Sequence, residues 1–169
     1  MQPEATPLIV PLAADDSVLS RQTARVRAPA RAVRAGAAAA WMDAYWRLIC
    51  VLTLGLVRVQ PDGEGFSLVV IGTTLKLFQF GKPWFYESDS LVCWAVALKA
   101  GLVQGGTGGI FYAVARRSAP DQWELSMTLR EFVPRLATLR PRWLWRPIYR
   151  LTQGVVHHVA GLIYLRLWH

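Results

Sequence analysis

Polar and apolar residues alternate one by one in two stretches of this chain. Val18, Ser20, Gln22, Ala24 and Val26 interleave with Leu19, Arg21, Thr23, Arg25 and Arg27, which predicts a strand over 18–27 with a face of arginine turned outward. In WELSMTLREF, Trp123, Leu125, Met127 and Leu129 share one side while Glu124, Ser126, Thr128 and Arg130 share the other. That is the pattern of an antiparallel strand with one wet face. Between these two, strands are expected at 66–72, 75–80, 90–98 and 109–117, the third buried on both faces. QPDGEG at 60–65, GKPW at 81–84, GGTGG at 105–109 and the SAPDQ segment separate them as turns and breaks.

Elsewhere the period is helical. Pro29 ends the first strand and suits the first turn of a helix, and the Ala-rich stretch from Ala30 to Met42 continues it. Over 43–58, Trp41, Tyr45, Leu48, Leu52 and Leu56 share one helical face, so a helix is favoured there. Ile49, Val51, Thr53 and Val57 keep a buried strand open as the alternative. After Pro141 a helix is expected over 146–168, with Ile148, Leu151, Val155, Val159, Leu162 and Leu165 in one stripe. Gly154 and Gly161, on one side of it, would let a strand approach closely or leave room for a ligand. Residues 1–16 are Pro-rich and acidic, without periodicity, and read as a flexible N-terminal arm; 17–169 read as one domain.

Composition sharpens this picture. Of 169 residues, 53% are hydrophobic and 18% charged, and eight are tryptophan. So many indoles, each with an N–H to satisfy, point to a lined cavity or an amphipathic surface. The net charge of +8 comes almost wholly from arginine, spread along the chain rather than clustered, which argues against a nucleic-acid footprint and leaves an anionic membrane surface as a partner. The most apolar windows, 37–57 and 91–115, are broken by Asp43 and Arg47 and by Lys99 and the glycine run, so neither reads as a membrane span. Cys50 and Cys93 lie in apolar stretches with no metal-ligand spacing, and the N-terminus has no basic signal-peptide region. Together these lead to the expectation of a cytoplasmic protein with free thiols.

The order strand, Pro, helix, antiparallel strands, C-terminal helix, together with TARVRAPARAV at 23–33, resembles the START-like helix-grip superfamily (SRPBCC, polyketide cyclase/dehydrase-like). The resemblance rests on Ala28 and Pro29 at the strand end and Val33 a few positions on. The stretch from FSLVVIG at 66–72 to GKPW looks like a bacterial branch of that superfamily, although Arg34 stands where an aromatic is frequent. The resemblance implies an α+β helix-grip fold: a curved antiparallel sheet wrapped around a long C-terminal helix, with a hydrophobic cavity between them. Members bind lipids, sterols, polyketides or other apolar molecules, and some catalyse cyclisation or hydration. They share no catalytic residue set.

On that expectation the cavity wall would draw on Phe66, Phe78, Trp84, Trp94, Tyr112, Trp123 and Met127 from the sheet, and on Leu151, Val155, His158 and Leu162 from the helix. His158 and Tyr112 are the candidates for moving a proton. The neighbouring His157 points about 100° away on a helix, so the pair cannot chelate one metal. Glu87 and Asp89 lie near a turn and are expected to be solvated. GGTGG lacks the Lys-Ser/Thr and the strand-to-helix setting of a phosphate loop, and no nucleophile or metal motif occurs, so no cofactor or metal is expected. PRWLWRPIYRL at 141–151 sets Arg142, Arg146 and Arg150 beside Trp143, Trp145 and Tyr149, a combination suited to an anionic lipid surface. Three functions follow as alternatives: a binder of a hydrophobic small molecule or lipid, a cyclase- or dehydratase-type enzyme, and a structural or interaction protein with a filled core.

Overall fold

A computed structural model describes residues 18–27, 36–105, 108–141, 143–144 and 155–166. The first strand, β1 (Val18–Arg27), is followed by α1 (Ala37–Leu52) and a meander of β2 (Val57–Asp62), β3 (Gly65–Val70) and β4 (Lys76–Phe80). Then come β5 (Trp84–Ser88), β6 (Leu91–Ala100), β7 (Ile110–Ala119) and β8 (Gln122–Phe132), a short α2 (Arg135–Thr138), and the C-terminal helix, here α3 (Val155–Arg166). The eight strands form one antiparallel sheet in the order β1-β8-β7-β6-β4-β3-β2, with β5 beside β6. An α+β chain with this sheet and a C-terminal helix is consistent with the helix-grip arrangement.

Strand β6 is long enough to share one edge between two partners. Its first half pairs with β5, from Trp84↔Ala95 to Ser88↔Leu91, and its last residues pair with β4 at Phe80↔Leu98 and Gln79↔Ala100. Gly65 lies so close to the Phe80 and Gly81 backbone that a Cβ would overlap it, which lets the meander turn across the end of β4.

The two longer helices pack on one face of the sheet, α3 over β1 and β8 and α1 over β6, β5 and β2. Trp41 of α1 stacks on Tyr164 of α3 at 5.8 Å and 12°, and the Tyr164 hydroxyl donates to the Trp41 carbonyl. The start of α1 is closed from outside. Gly36 precedes it with φ 79, and Glu87 of β5 accepts from the Gly36 N–H at 3.0 Å and the Ala38 N–H at 2.7 Å. The carboxylate expected to be merely solvated thus caps a helix N-terminus, where unpaired N–H groups and the helix dipole favour an anion.

Several sequence expectations change. Over 43–58 the helix stops at Leu52 and the rest becomes turn and strand. The Thr53 hydroxyl donates to the Ile49 carbonyl at 2.9 Å, and Leu54 (φ 51) and Gly55 (φ 76) reverse the chain. The turn expected over 60–65 contracts to residues 63–64, and the expected break at 81–84 ends in β5, where three consecutive aromatics hide any alternation. The second face of β8 is not wet through its middle: Thr128 is 3% exposed and Ser126 8%. These short side chains sit between longer cross-strand neighbours, Thr128 between Arg21 and Tyr112 and Ser126 between Thr23 and Val114.

The C-terminal stripe is also rotated. Ala160, Gly161, Tyr164 and Leu165 face inward, while Val159 is exposed and Leu162 half-buried. Close approach decides this, because a Cβ on Gly161 would overlap the buried Gln22 amide of β1. Of the helix expected over 146–168, residues 146–154, Gly154 among them, and 167–168 lie outside the described residues, as do the N-terminal arm and the 28–35 segment.

Gly161→Ala is expected to lower stability by about 1–3 kcal/mol through overpacking. Gln22→Ala in the same chain should recover part of that loss, a non-additivity that a denaturant double-mutant cycle reads directly. A second expectation concerns Asp62, which accepts from Lys76 Nζ at 2.7 Å, from the Ser67 hydroxyl and from Gln79 Nε2 at 3.0 Å. The Lys76 hydrogen bond, then that of Ser67, holds its carboxyl below the usual range. A depressed folded-state pKa gives stability that is present above the unfolded value of about 4 and is lost as pH falls through the folded one. Melting of Asp62→Asn should therefore fall below wild type at neutral pH and converge with it in acid.

Candidate functional site

Beneath the C-terminal half of α1 the two layers do not meet, and a cavity of about 310 Å³ remains. The helix and the turn after it contribute Tyr45, Trp46, Ile49 and Thr53. The meander contributes Val57, Leu68, Leu77, Phe78 and Phe80. Leu98, Phe111 and Leu129 form the floor on β6, β7 and β8, and Val103 closes in from the loop after β6. Alternation along the strands puts most of these side chains on one face: Leu68 stands opposite Phe78, and Phe111 opposite both Val96 and Leu129, while Leu77, next to Phe78, falls at the register shift between β3 and β4.

The wall offers little polar chemistry. Thr53 spends its hydroxyl on the Ile49 and Cys50 carbonyls. The Trp46 indole N–H is buried without a nitrogen or oxygen acceptor, and its ring meets Phe66 edge-on at 5.2 Å, Phe80 at 5.0 Å and Phe111 at 5.9 Å. An aromatic surround is the setting in which an N–H finds weak compensation in π density. Burial pushes the Tyr45 phenol above the ordinary tyrosine range, so it stays neutral. Burial likewise raises Tyr164. Among the described residues no group of three His, Cys, Asp or Glu side chains gathers to hold a metal.

The residues anticipated from sequence are dispersed. Phe78 lines the cavity, and Phe66 stacks on the lining residue Phe80 at 4.8 Å. Trp94 and Met127 face the same layer but are sealed beneath the helices, Trp94 edge-on to Phe111 at 5.2 Å and Met127 beside Gln22. Trp123 is buried opposite Val26, toward the other end of β8. Tyr112 and Trp84 share the outer face through Ala95, and Trp84 is 56% exposed and stacked on Tyr86 at 6.2 Å. Leu162 is half-buried on α3 away from the cavity. Leu151 and the side chains of Val155 and His158 lie outside the described residues. Among the described residues the cavity is therefore covered by α1 rather than by the C-terminal helix. Of 141–151, Pro141, Trp143 and Leu144 are described, and Trp143 is exposed.

What the sequence reading missed is the rest of the wall. Tyr45, Ile49 and Thr53 recur at the i, i+4 spacing of one helix face, and that signal was available. Val103, in an irregular loop, carried none.

The sequence matches no family model and no curated protein. Solved structures of similar shape include a hypothetical protein from Helicobacter pylori, 10% identical, with 94% of this chain and 99% of that chain covered and a TM-score of 0.43. Norcoclaurine synthase from Thalictrum flavum is 16% identical, with 86% and 88% covered and a TM-score of 0.38. Ara h 8.0201 is 10% identical, with 86% and 97% covered and a TM-score of 0.35. Likenesses at these scores say nothing of what this chain binds, so function is read from the cavity itself.

Proposed function

We propose that this chain is a START-like, helix-grip container that holds a hydrophobic small molecule or part of a lipid between α1 and the sheet. The observation that carries the reading is the 310 Å³ space whose wall is almost wholly aromatic and aliphatic. An engineered apolar cavity of about 150 Å³ admits benzene, so this one suits a ligand of roughly a dozen non-hydrogen atoms or a segment of a longer chain. A ligand burying about 250 Å² of apolar surface would gain about 6 kcal/mol, a Kd on the order of tens of micromolar. Free Cys50 and Cys93 suit a reducing, cytoplasmic setting, and among the described residues no helix is long and apolar enough to cross a membrane.

An enzymatic role has less behind it. A neutral phenol, a sealed indole and a committed hydroxyl provide no general base among the described wall residues. Titration calorimetry with 2-naphthol tests the container. Wild type should bind with a Kd on the order of tens of micromolar, and Val103→Trp, which pushes an indole into the half-buried edge of the space, should weaken binding at least about tenfold. Absence of binding, together with a native mass spectrum free of any co-purifying apolar molecule, would favour the filled-core structural protein instead. Equal binding by wild type and Val103→Trp would move the site elsewhere.

A further inference from the structure

The cavity wall grades from sealed to open in one direction. Tyr45, Trp46, Phe80 and Phe111 are buried, whereas Ile49, Thr53, Leu77 and Val103 are half-buried. The half-buried members belong to three segments: the end of α1 with its turn, the start of β4, and the loop after β6. Backbone hydrogen bonds stitch these segments together, Ile71 N–H to the Leu56 carbonyl at 2.9 Å, Val70 to Leu75 at 3.1 Å, Leu102 to Lys76 at 2.9 Å and Val103 to Leu77 at 3.3 Å. They form the mouth.

The rim of that mouth is apolar where water would favour polar residues. Leu54, Leu56, Ile71, Leu75 and Leu102 all project into solvent, Leu54 at 90% exposure and Leu56 at 60%. Exposed apolar side chains on neighbouring, hydrogen-bonded segments are what an interaction surface presents. Leu54 also stands at φ 51, in the left-handed region that a leucine adopts only at a cost, and it gains no core contact in return.

Charge narrows the choice of partner. Residues 47–59, 69–77 and 98–104 contain Arg47, Arg58, Lys76 and Lys99 and no carboxylate, and among the described residues Lys76 alone of these forms an ion pair, with Asp62 of β2. Two copies meeting rim to rim would bring like charges together. A bilayer of anionic lipids accepts both the apolar side chains and the cations.

We propose that this rim seats the cavity mouth on an anionic lipid bilayer, so that an apolar ligand passes between membrane and cavity without crossing water. The inference rests on the container reading above, and the two are separable because vesicle binding and 2-naphthol binding are measured independently. Flotation with phosphatidylcholine vesicles containing a minority of phosphatidylglycerol should carry wild type upward, and vesicles of phosphatidylcholine alone should carry less. Leu54→Asn with Leu56→Ser should cut the floated fraction about tenfold. That variant keeps its fold, since asparagine tolerates the left-handed backbone at position 54, and it should still bind 2-naphthol. Trp84→Ser with Tyr86→Ser, which removes exposed aromatics on the outer sheet face, should float as wild type does. Flotation of the Leu54/Leu56 variant at the wild-type level, no flotation of wild type, equal flotation with both vesicle types, or loss of flotation in the Trp84/Tyr86 variant would each overturn the proposal.

Discussion

Tyr164 ties the helical layer together. Its ring lies flat against Trp41 while its hydroxyl reaches the Trp41 carbonyl, so one side chain fixes both the separation and the rotation of α3 against α1. Such a contact requires a helix face that approaches closely, which Gly161 permits by leaving space for Gln22. The rest of the interior follows from this arrangement. With α3 packed over β1 and β8 and α1 over β6, the inner rows of these strands and of β7 between them are filled by Trp94, Leu125, Met127 and Ala113. The second half of α1 extends past the region α3 covers, and there helix and meander enclose space instead of side chains.

The aromatic content then has two roles. Tyr45, Trp46, Phe66, Phe80, Trp94 and Phe111 form a continuous cluster with centroids between 4.8 and 6.4 Å apart, mostly in edge-on or tilted pairs. Rings of this size bury much surface with few torsions to freeze, so they keep a cavity open at low entropic cost. Aliphatic residues at the same positions would have more freedom to collapse into it.

Where the chain obeys a strict period of two, its sequence was a sound guide. β1 and the central strands lie where alternation and turn residues put them, because burial of one face sets register unambiguously. The sequence was a poor guide where tertiary contacts overrule local pattern. Leu56 belongs to a convincing helical stripe yet lies past the helix end and projects into solvent, and Val159 belongs to the apolar stripe of α3 yet faces out because small residues and Tyr164 win the sheet side. The cavity was legible as a class of feature and poorly legible residue by residue. Which aromatics line a space and which merely fill a core depends on how far α1 overhangs the sheet, a distance that no local spacing encodes.

The shared edge of β6 divides the sheet into unequal leaves. β1 and β8 are joined along nearly their full length, whereas the three-stranded leaf of β2, β3 and β4 is sewn to the remainder at Phe80↔Leu98 and Gln79↔Ala100, with a register irregularity between them. That leaf supplies one whole side of the cavity. Three further backbone bonds hold that seam, Gly81 N–H to the Ala97 carbonyl, Leu102 N–H to Lys76 and Val103 N–H to Leu77, so a handful of bonds along one strand edge fixes where the leaf stands against the other strands. The volume of the cavity is then set as much by the placement of this one seam as by the bulk of the side chains around it.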